Sequence, residues 1–168
     1  MSDGRVSDFE RKEDYQKFRM ISAKQFIAIT GDRTKSDEIY DLVKYSEEPY
    51  SLFQISRLVR SDLKRNPSST LVNIIICGVN GSSIFYNQFD SSDLKKIDSG
   101  IKERNVIKFM NSLNIDRHFW GERFIKEISE VNYNNPLEVI KVQESINDQI
   151  SCEDSTVNKI KFYKVIEF

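Results

Sequence analysis

Leu71-Val72-Asn73-Ile74-Ile75-Ile76-Cys77-Gly78-Val79 decides how this chain folds. Apolar side chains stand at both odd and even positions, so both faces of the strand must be covered; a strand lying on a wet surface would alternate apolar with polar. That places it at the centre of a sheet. Asn80-Gly81 follows, two residues suited to the positive backbone angles of a tight hairpin, and Ile84-Phe85-Tyr86 to Phe89-Asp90 returns the chain as the partner strand.

Working back from this hairpin, Phe18 and Met20 alternate with Lys17, Arg19 and Ile21, and Ser22-Ala23-Lys24 connects to Phe26-Ile27-Ala28-Ile29, giving a second pair of strands. Gly31-Asp32 ends that pair. Ser36-Asp37-Glu38 then supplies a capping hydroxyl and acids for a helix whose stripe is Ile39, Leu42 and Val43. After Pro49, Leu52, Ile55, Leu58, Val59 and Leu63 recur at helical spacing until Asn66-Pro67 stops a second helix.

Forward from the hairpin, a polar connection leads to a helix over Val106, Ile107, Phe109, Met110 and Leu113. Another is expected on Phe124, Ile125, Ile128 and Val131, with Gly121 breaking or kinking it. Asn135 and Pro136 are suited to the N-cap and first position of a last helix carrying Leu137, Ile140 and Ile146. Ile160 to Phe168 alternates as a closing strand, whereas Met1 to Gln16 is polar without periodicity and reads as a tail or loop. The order is therefore two strands, two helices, two strands, helices, strand.

A chain of 168 residues, 39% hydrophobic and 30% charged, suffices for one globular domain spanning 1–168 that buries about 70% of its unfolded surface. Its 25 basic and 26 acidic residues create no overall field for nucleic acid or an anionic membrane, so partners must be selected by shape. No apolar run is long enough to span a bilayer, and Met1-Ser2-Asp3-Gly4-Arg5 lacks the apolar core of a signal peptide, so an intracellular setting is expected. Cys77 in a strand and Cys152 in a polar loop lack metal-ligand spacing and are expected to be free thiols. Two strand groups separated by paired helices are best satisfied by an α+β architecture of two stacked sheets flanked by helices, although a simpler two-layer arrangement would also bury the central strand.

Specific residues carry a resemblance. Asp14-Tyr15-Gln16-Lys17-Phe18-Arg19-Met20-Ile21-Ser22, then Ile27-Ala28-Ile29-Thr30-Gly31-Asp32 and Asp37, and the hairpin from Leu71 to Asp90, together resemble the β subunits of the eukaryotic proteasome core. Arg65-Asn66-Pro67 and Ser112-Leu113-Asn114-Ile115-Asp116-Arg117-His118-Phe119, the latter similar to a family helix end, are most like the non-catalytic subunit at the fourth β position. The detailed resemblance runs from Asp14 to Asp90. Val79 stands where the family has an aromatic residue, Asn80 where it has Asp, and Ser99-Gly100 keeps one glycine of an expected glycine-rich segment.

The resemblance implies a four-layer αββα sandwich of the N-terminal nucleophile hydrolase type. Met1 to Gln16 aligns with the end of the family's second strand and the loop after it, so the first strand is absent from the alignment. Active members use an N-terminal threonine whose own amino group is the base; here Asp3 and Lys17 fall near the supporting Asp and Lys, while Ser2 lacks a preceding strand to position it. The resemblance thus implies no catalytic residue, cofactor or metal, and a structural place in a β ring for ubiquitin-dependent protein degradation. Its partners would be other β subunits and α subunits in a large hetero-oligomeric barrel, in cytoplasm and nucleus. The alternatives are an active threonine peptidase β subunit whose N-terminal segment lies upstream of Met1, or an unrelated intracellular adaptor or immunity-type binding protein.

Other candidate sites read as structural. His118, the only histidine, has no nearby nucleophile set and reads as a helix-end residue. Arg57, Arg60, Lys64 and Arg65 form a basic helix face without the interleaved aromatics of a single-strand binder, which favours a solvated or subunit-facing surface. Gly78-Val79-Asn80-Gly81-Ser82-Ser83 lacks the Lys and following helix of a phosphate loop and reads as a turn.

Overall fold

The computed structural model describes residues 15–103, 116–132 and 134–154, with residues 106, 108 and 157 and the backbone of 2, 3, 161 and 162. Its elements are β1 (Ser2–Asp3), β2 (Phe18–Ser22), β3 (Gln25–Thr30), α1 (Arg33–Leu42), α2 (Leu52–Arg65), β4 (Asn73–Asn80), β5 (Ser83–Asp90), β6 (Asp98–Lys102), α3 (Arg117–Ser129), α4 (Pro136–Glu153) and β7 (Lys161–Phe162). They divide between two compact units, Phe18–Met110 and Met1–Lys17 with Asn111–Glu167. The expected helix around 106–113 falls largely outside the described residues, as does most of the closing strand expected over 160–168.

In the first unit, five antiparallel strands run in the order β2-β3-β4-β5-β6, with β4 in the middle as its apolar faces require. Pairing of Ile27 with Ile76, Ile29 with Ile74 and Ile76 with Asn87 puts these side chains on one face. The Asn87 amide donates to Ser56 Oγ of α2 at 2.8 Å, so this is the face covered by helices. Ile27, Ile29, Ile74 and Ile76 there are completely buried, and Ile39, Ile55, Val59 and Leu63 of the two helices join the core. Burial of four isoleucines stabilises the fold by about 1.5–3 kcal/mol each before chain entropy is charged against it. On the opposite face Ala28, Ile75 and Tyr86 are also buried, in keeping with a strand covered on both sides.

Turn chemistry differs from the expectation at two points. Asn80 is paired with Ser83, and the two turn residues are Gly81-Ser82. Gly81 alone has positive φ, +56°, the pattern of a II′ turn, so Asn80 remains in the strand. Between β3 and α1, Gly31 takes φ +108°, and a side chain there would meet Leu71 O at 1.9 Å. The helix then begins from Asp32, whose Oδ1 accepts from Lys35 N at 3.0 Å. Ser36, expected as the cap, lies inside α1 and donates its hydroxyl to Asp32 O at 2.7 Å. Both residue types cap helices; the glycine turn selects the earlier one.

β6 was not anticipated. Asp98-Ser99-Gly100-Ile101-Lys102 has no apolar alternation, yet its backbone pairs with β5 from Ile84 to Gln88. It is mostly exposed, as an edge strand tolerates.

In the second unit, α3 packs on α4. Trp120, Phe124 and Ile128 of α3 and Ile140 and Ile146 of α4 are buried, whereas Ile125 and Leu137 are exposed. α3 runs unbroken through Gly121, contrary to the expected break; no atom lies within 4 Å of where its Cβ would be. Asp116 caps α3, accepting from His118 N at 2.9 Å and Phe119 N at 3.1 Å, so Arg117–Phe119 open a helix, while the rest of the expected helix end, 112–115, lies outside the described residues. Asn135 and Pro136 open α4 as expected, the Asn135 side chain accepting from Leu137 N. Cys152 lies in α4, where a loop was expected. Ser2 and Asp3 pair with Phe162 and Lys161, so this part of the expected tail is a short strand.

Candidate functional site

Ser2 and Asp3 form β1, and Lys17 lies one residue before β2, half-buried. His118 sits in the first turn of α3 with its side chain in solvent, Nε2 3.3 Å from Glu122 Oε1 one turn along the same helix. That is a surface helix pair worth little energetically. Residues 78–83 form the end of β4 and the turn into β5.

The two cysteines and the three buried serines are engaged in structure. Burial pushes the Cys77 thiol up to about 11 against a smaller opposing effect of the Gly78 backbone, so it stays protonated and unreactive near neutrality. Cys152 donates its thiol to Asp148 O at 3.3 Å. Both cysteines are free, as expected. Ser22 donates to Gln25 Oε1, Ser36 to the Asp32 carbonyl, and Ser56 accepts from Asn87. Among the described residues no cluster of three or more His, Cys, Asp or Glu could hold a metal ion.

The strongest electrostatic feature is Lys35. Its side chain is 4% exposed and its ammonium bridges Asp62 of α2 at 2.6 Å and Glu38 of α1 at 2.8 Å. Burial depresses the lysine, but hydrogen bonds to Asp62 and then Glu38 outweigh it and leave its affinity for the proton raised. Asp62 answers in the opposite sense: burial raises its carboxyl, and donation from Lys35 and from Asn66 Nδ2 at 3.0 Å brings it below the ordinary range. Asp32 is lowered too, since its bonds from Lys35 N, Ser68 and Ser69 exceed the effect of burial. These contacts tie α1 to α2 and the start of α1 to the loop before β4. The sequence signal was Lys35 itself, one turn before Ile39 on the apolar stripe of α1.

The outer surface of α2 carries the exposed charges of the described residues singled out in the sequence. Arg57, Lys64 and Arg65 are exposed on α2, while Arg60 is half-buried and donates to Leu94 O at 2.5 Å. Phe53 is 71% exposed beside them, and Leu58, expected in the core, is 40% exposed.

No family model and no curated protein matches the sequence. Among solved structures the chain is similar to eukaryotic HslV from Trypanosoma brucei, with a TM-score of 0.61 at 12% identity over 94% of this chain and 86% of that one. At this identity the likeness shows the fold alone, which among the described residues is a mixed arrangement of a five-stranded antiparallel sheet, a short strand pair and four helices.

Proposed function

We propose that this chain is a non-catalytic β-type subunit of a proteasome-like particle, contributing position and surface to a proteolytic chamber. The observation that carries the reading is the HslV-like fold over 94% of the chain. It joins the resemblance of the segment from Asp14 to Asp90 to proteasome β subunits. The complete arrangement would be a four-layer αββα sandwich. Its place would be in a hetero-oligomeric β ring, at a position like the fourth, in the ubiquitin-dependent degradation machinery of cytoplasm and nucleus.

Two physical features support a structural role. The buried hydroxyl of Ser56 joins α2 to the sheet through Asn87, and those of Ser36 and Ser22 bond the Asp32 carbonyl within α1 and Gln25 across the β2–β3 turn, so all three are engaged in structure. The Lys35–Asp62 clamp fixes α1 against α2 from within, so the outer surface of that helix pair is presented on a rigid support, which an interface residue needs.

Turnover of short fluorogenic peptides by the purified chain tests the catalytic half of the reading. No hydrolysis above buffer is expected. Activity that vanishes in Ser2→Ala or Lys17→Ala would overturn it in favour of an N-terminal nucleophile peptidase.

A further inference from the structure

Arg60, Phe53, Lys64 and Arg57 share one stripe on the outer surface of α2. At 100° per residue they fall in that order within an arc of about 60°, whereas Arg65 and Leu58 lie about 80–100° beyond Arg57 and belong to another part of the helix. At 1.5 Å per residue the stripe is about 17 Å long, with the Phe53 ring at one end and the three cations after it. The helix's one acid, Asp62, is turned inward to Lys35.

A second segment adds to its charge. The Leu94 carbonyl accepts from Arg60 Nε at 2.5 Å, so the connection from β5 to β6 lies against the Arg60 edge of the stripe. Lys95 and Lys96 follow directly and are exposed. The connection is held in shape: Ser91 N donates to Val72 O at 2.9 Å, Ser91 Oγ accepts from Val72 N at 3.0 Å, and Lys96 N donates to Asp93 O at 3.1 Å. Its carboxylates serve the turn, Asp90 accepting from Ser92 N at 2.8 Å and Asp93 from Lys95 N at 3.0 Å. Among the described residues Arg57, Lys64 and Lys95 have no carboxylate partner, whereas Arg19, Arg33, Lys35 and Lys108 of the same unit each have at least one. The chain as a whole is balanced, net charge −1, so this surface is a local concentration of unneutralised positive charge with an exposed phenyl ring at its end.

We propose that this surface binds an extended acidic segment of a partner protein, with one apolar side chain at the end that meets Phe53. An extended strand rises about 3.3 Å per residue, so about five residues cover the stripe. Carboxylates against Arg57, Lys64, Lys95 and Lys96 steer and orient the segment, while the apolar side chain covering the Phe53 ring supplies the buried area. A nucleic-acid strand fits less well, because single-strand binders stack successive bases on several aromatic rings and α2 offers Phe53 alone. The surface does not depend on the chain occupying a β ring.

Fluorescence anisotropy of labelled peptides with the full chain tests this. The probes are a peptide of one leucine followed by a run of glutamates, its reversed sequence, and each of these with glycine in place of leucine. At about 50 mM salt at least one leucine peptide should bind, and about 500 mM salt should weaken that binding at least about tenfold by screening the exposed charges. Leucine to glycine should weaken it at least about fivefold in the wild type but not in Phe53→Ala, where the leucine has no ring to cover. Arg57→Glu with Lys64→Glu, and separately Lys95→Glu with Lys96→Glu, should each weaken it at least about tenfold while keeping the wild-type circular dichroism. Failure of both leucine peptides to bind, binding that salt or either charge-reversed pair leaves unchanged, or a leucine effect that persists in Phe53→Ala would each overturn the proposal. So would a thymidine oligonucleotide of equal charge bound more tightly than the peptides, which would assign the surface to nucleic acid.

Discussion

Replacing Asp62 with leucine should destabilise the Phe18–Met110 unit by breaking its buried ion pair. The substitution leaves Lys35, 4% exposed, with Glu38 as its remaining carboxylate, and Glu38 is itself 56% exposed. Removing one member of a buried pair costs about 3–5 kcal/mol, because the survivor keeps its desolvation without its attraction. Glu38 at 2.8 Å and the 17% exposure of Asp62 reduce this, so a loss of about 2–3 kcal/mol is expected. Lys35→Met with Asp62→Leu removes both charges and should recover at least about 1 kcal/mol of it. Urea unfolding followed by circular dichroism gives the three values. A loss under about 0.5 kcal/mol for Asp62→Leu, or a double variant no more stable than the single one, would refute the clamp.

The same pair sets a pH signature. Asp62 is lowered from its ordinary value of 3.8 in the folded chain, so its contribution is complete above that value and is lost as pH falls through the lower folded value. Lys35 is raised from 10.5, so its part is complete below that value and is lost as pH rises through the higher folded one. Wild type and Asp62→Leu should therefore differ most between these limits and converge below pH 3.8.

Ile75→Asp puts a carboxylate at a 7% exposed position on the central strand and should abolish folding, since an unpaired buried charge exceeds the reserve of a marginally stable domain; soluble protein that melts cooperatively would contradict this. Gly31→Ala meets Leu71 O at 1.9 Å and φ +108°, so a loss of about 3 kcal/mol in urea unfolding is expected, and a neutral variant would show that the turn differs. Gly121→Ala, with open space at Cβ and an interior helical position, should stabilise by about 0.5–1 kcal/mol, read as a higher midpoint of thermal unfolding; a lower midpoint would indicate a packing role for the glycine.

The sheet's centre was legible because burial on both faces writes itself as an unbroken apolar run, and Leu71 to Val79 has one. An edge strand has no such obligation: β6 pairs through its backbone, so Asp98-Ser99-Gly100-Ile101-Lys102 carries no pattern to read. Helix existence was legible from spacing, but the stripe was drawn too wide at Leu58 and Leu137, which periodicity admits and tertiary contact leaves outside. Helix starts were misplaced where several capping residues compete, as at Asp32 and Ser36, or where a glycine suggested a break that the helix does not make, as at Gly121. Lys35 was missed because residue type argues for solvent and its two carboxylates, one on the next helix, argue otherwise only in three dimensions. The basic face of α2 could be read from the sequence, whereas the bond that half-buries Arg60 against Leu94 O could not.

The most direct test of the structural-subunit account is the native mass of the particle that carries this chain, measured by native mass spectrometry after gentle purification of the tagged full chain from its own cells. The account predicts a closed assembly many times the 19.7 kDa of the chain, containing related subunits of the same fold in fixed stoichiometry. A stable monomer, or a small complex with partners of unrelated fold, would contradict it.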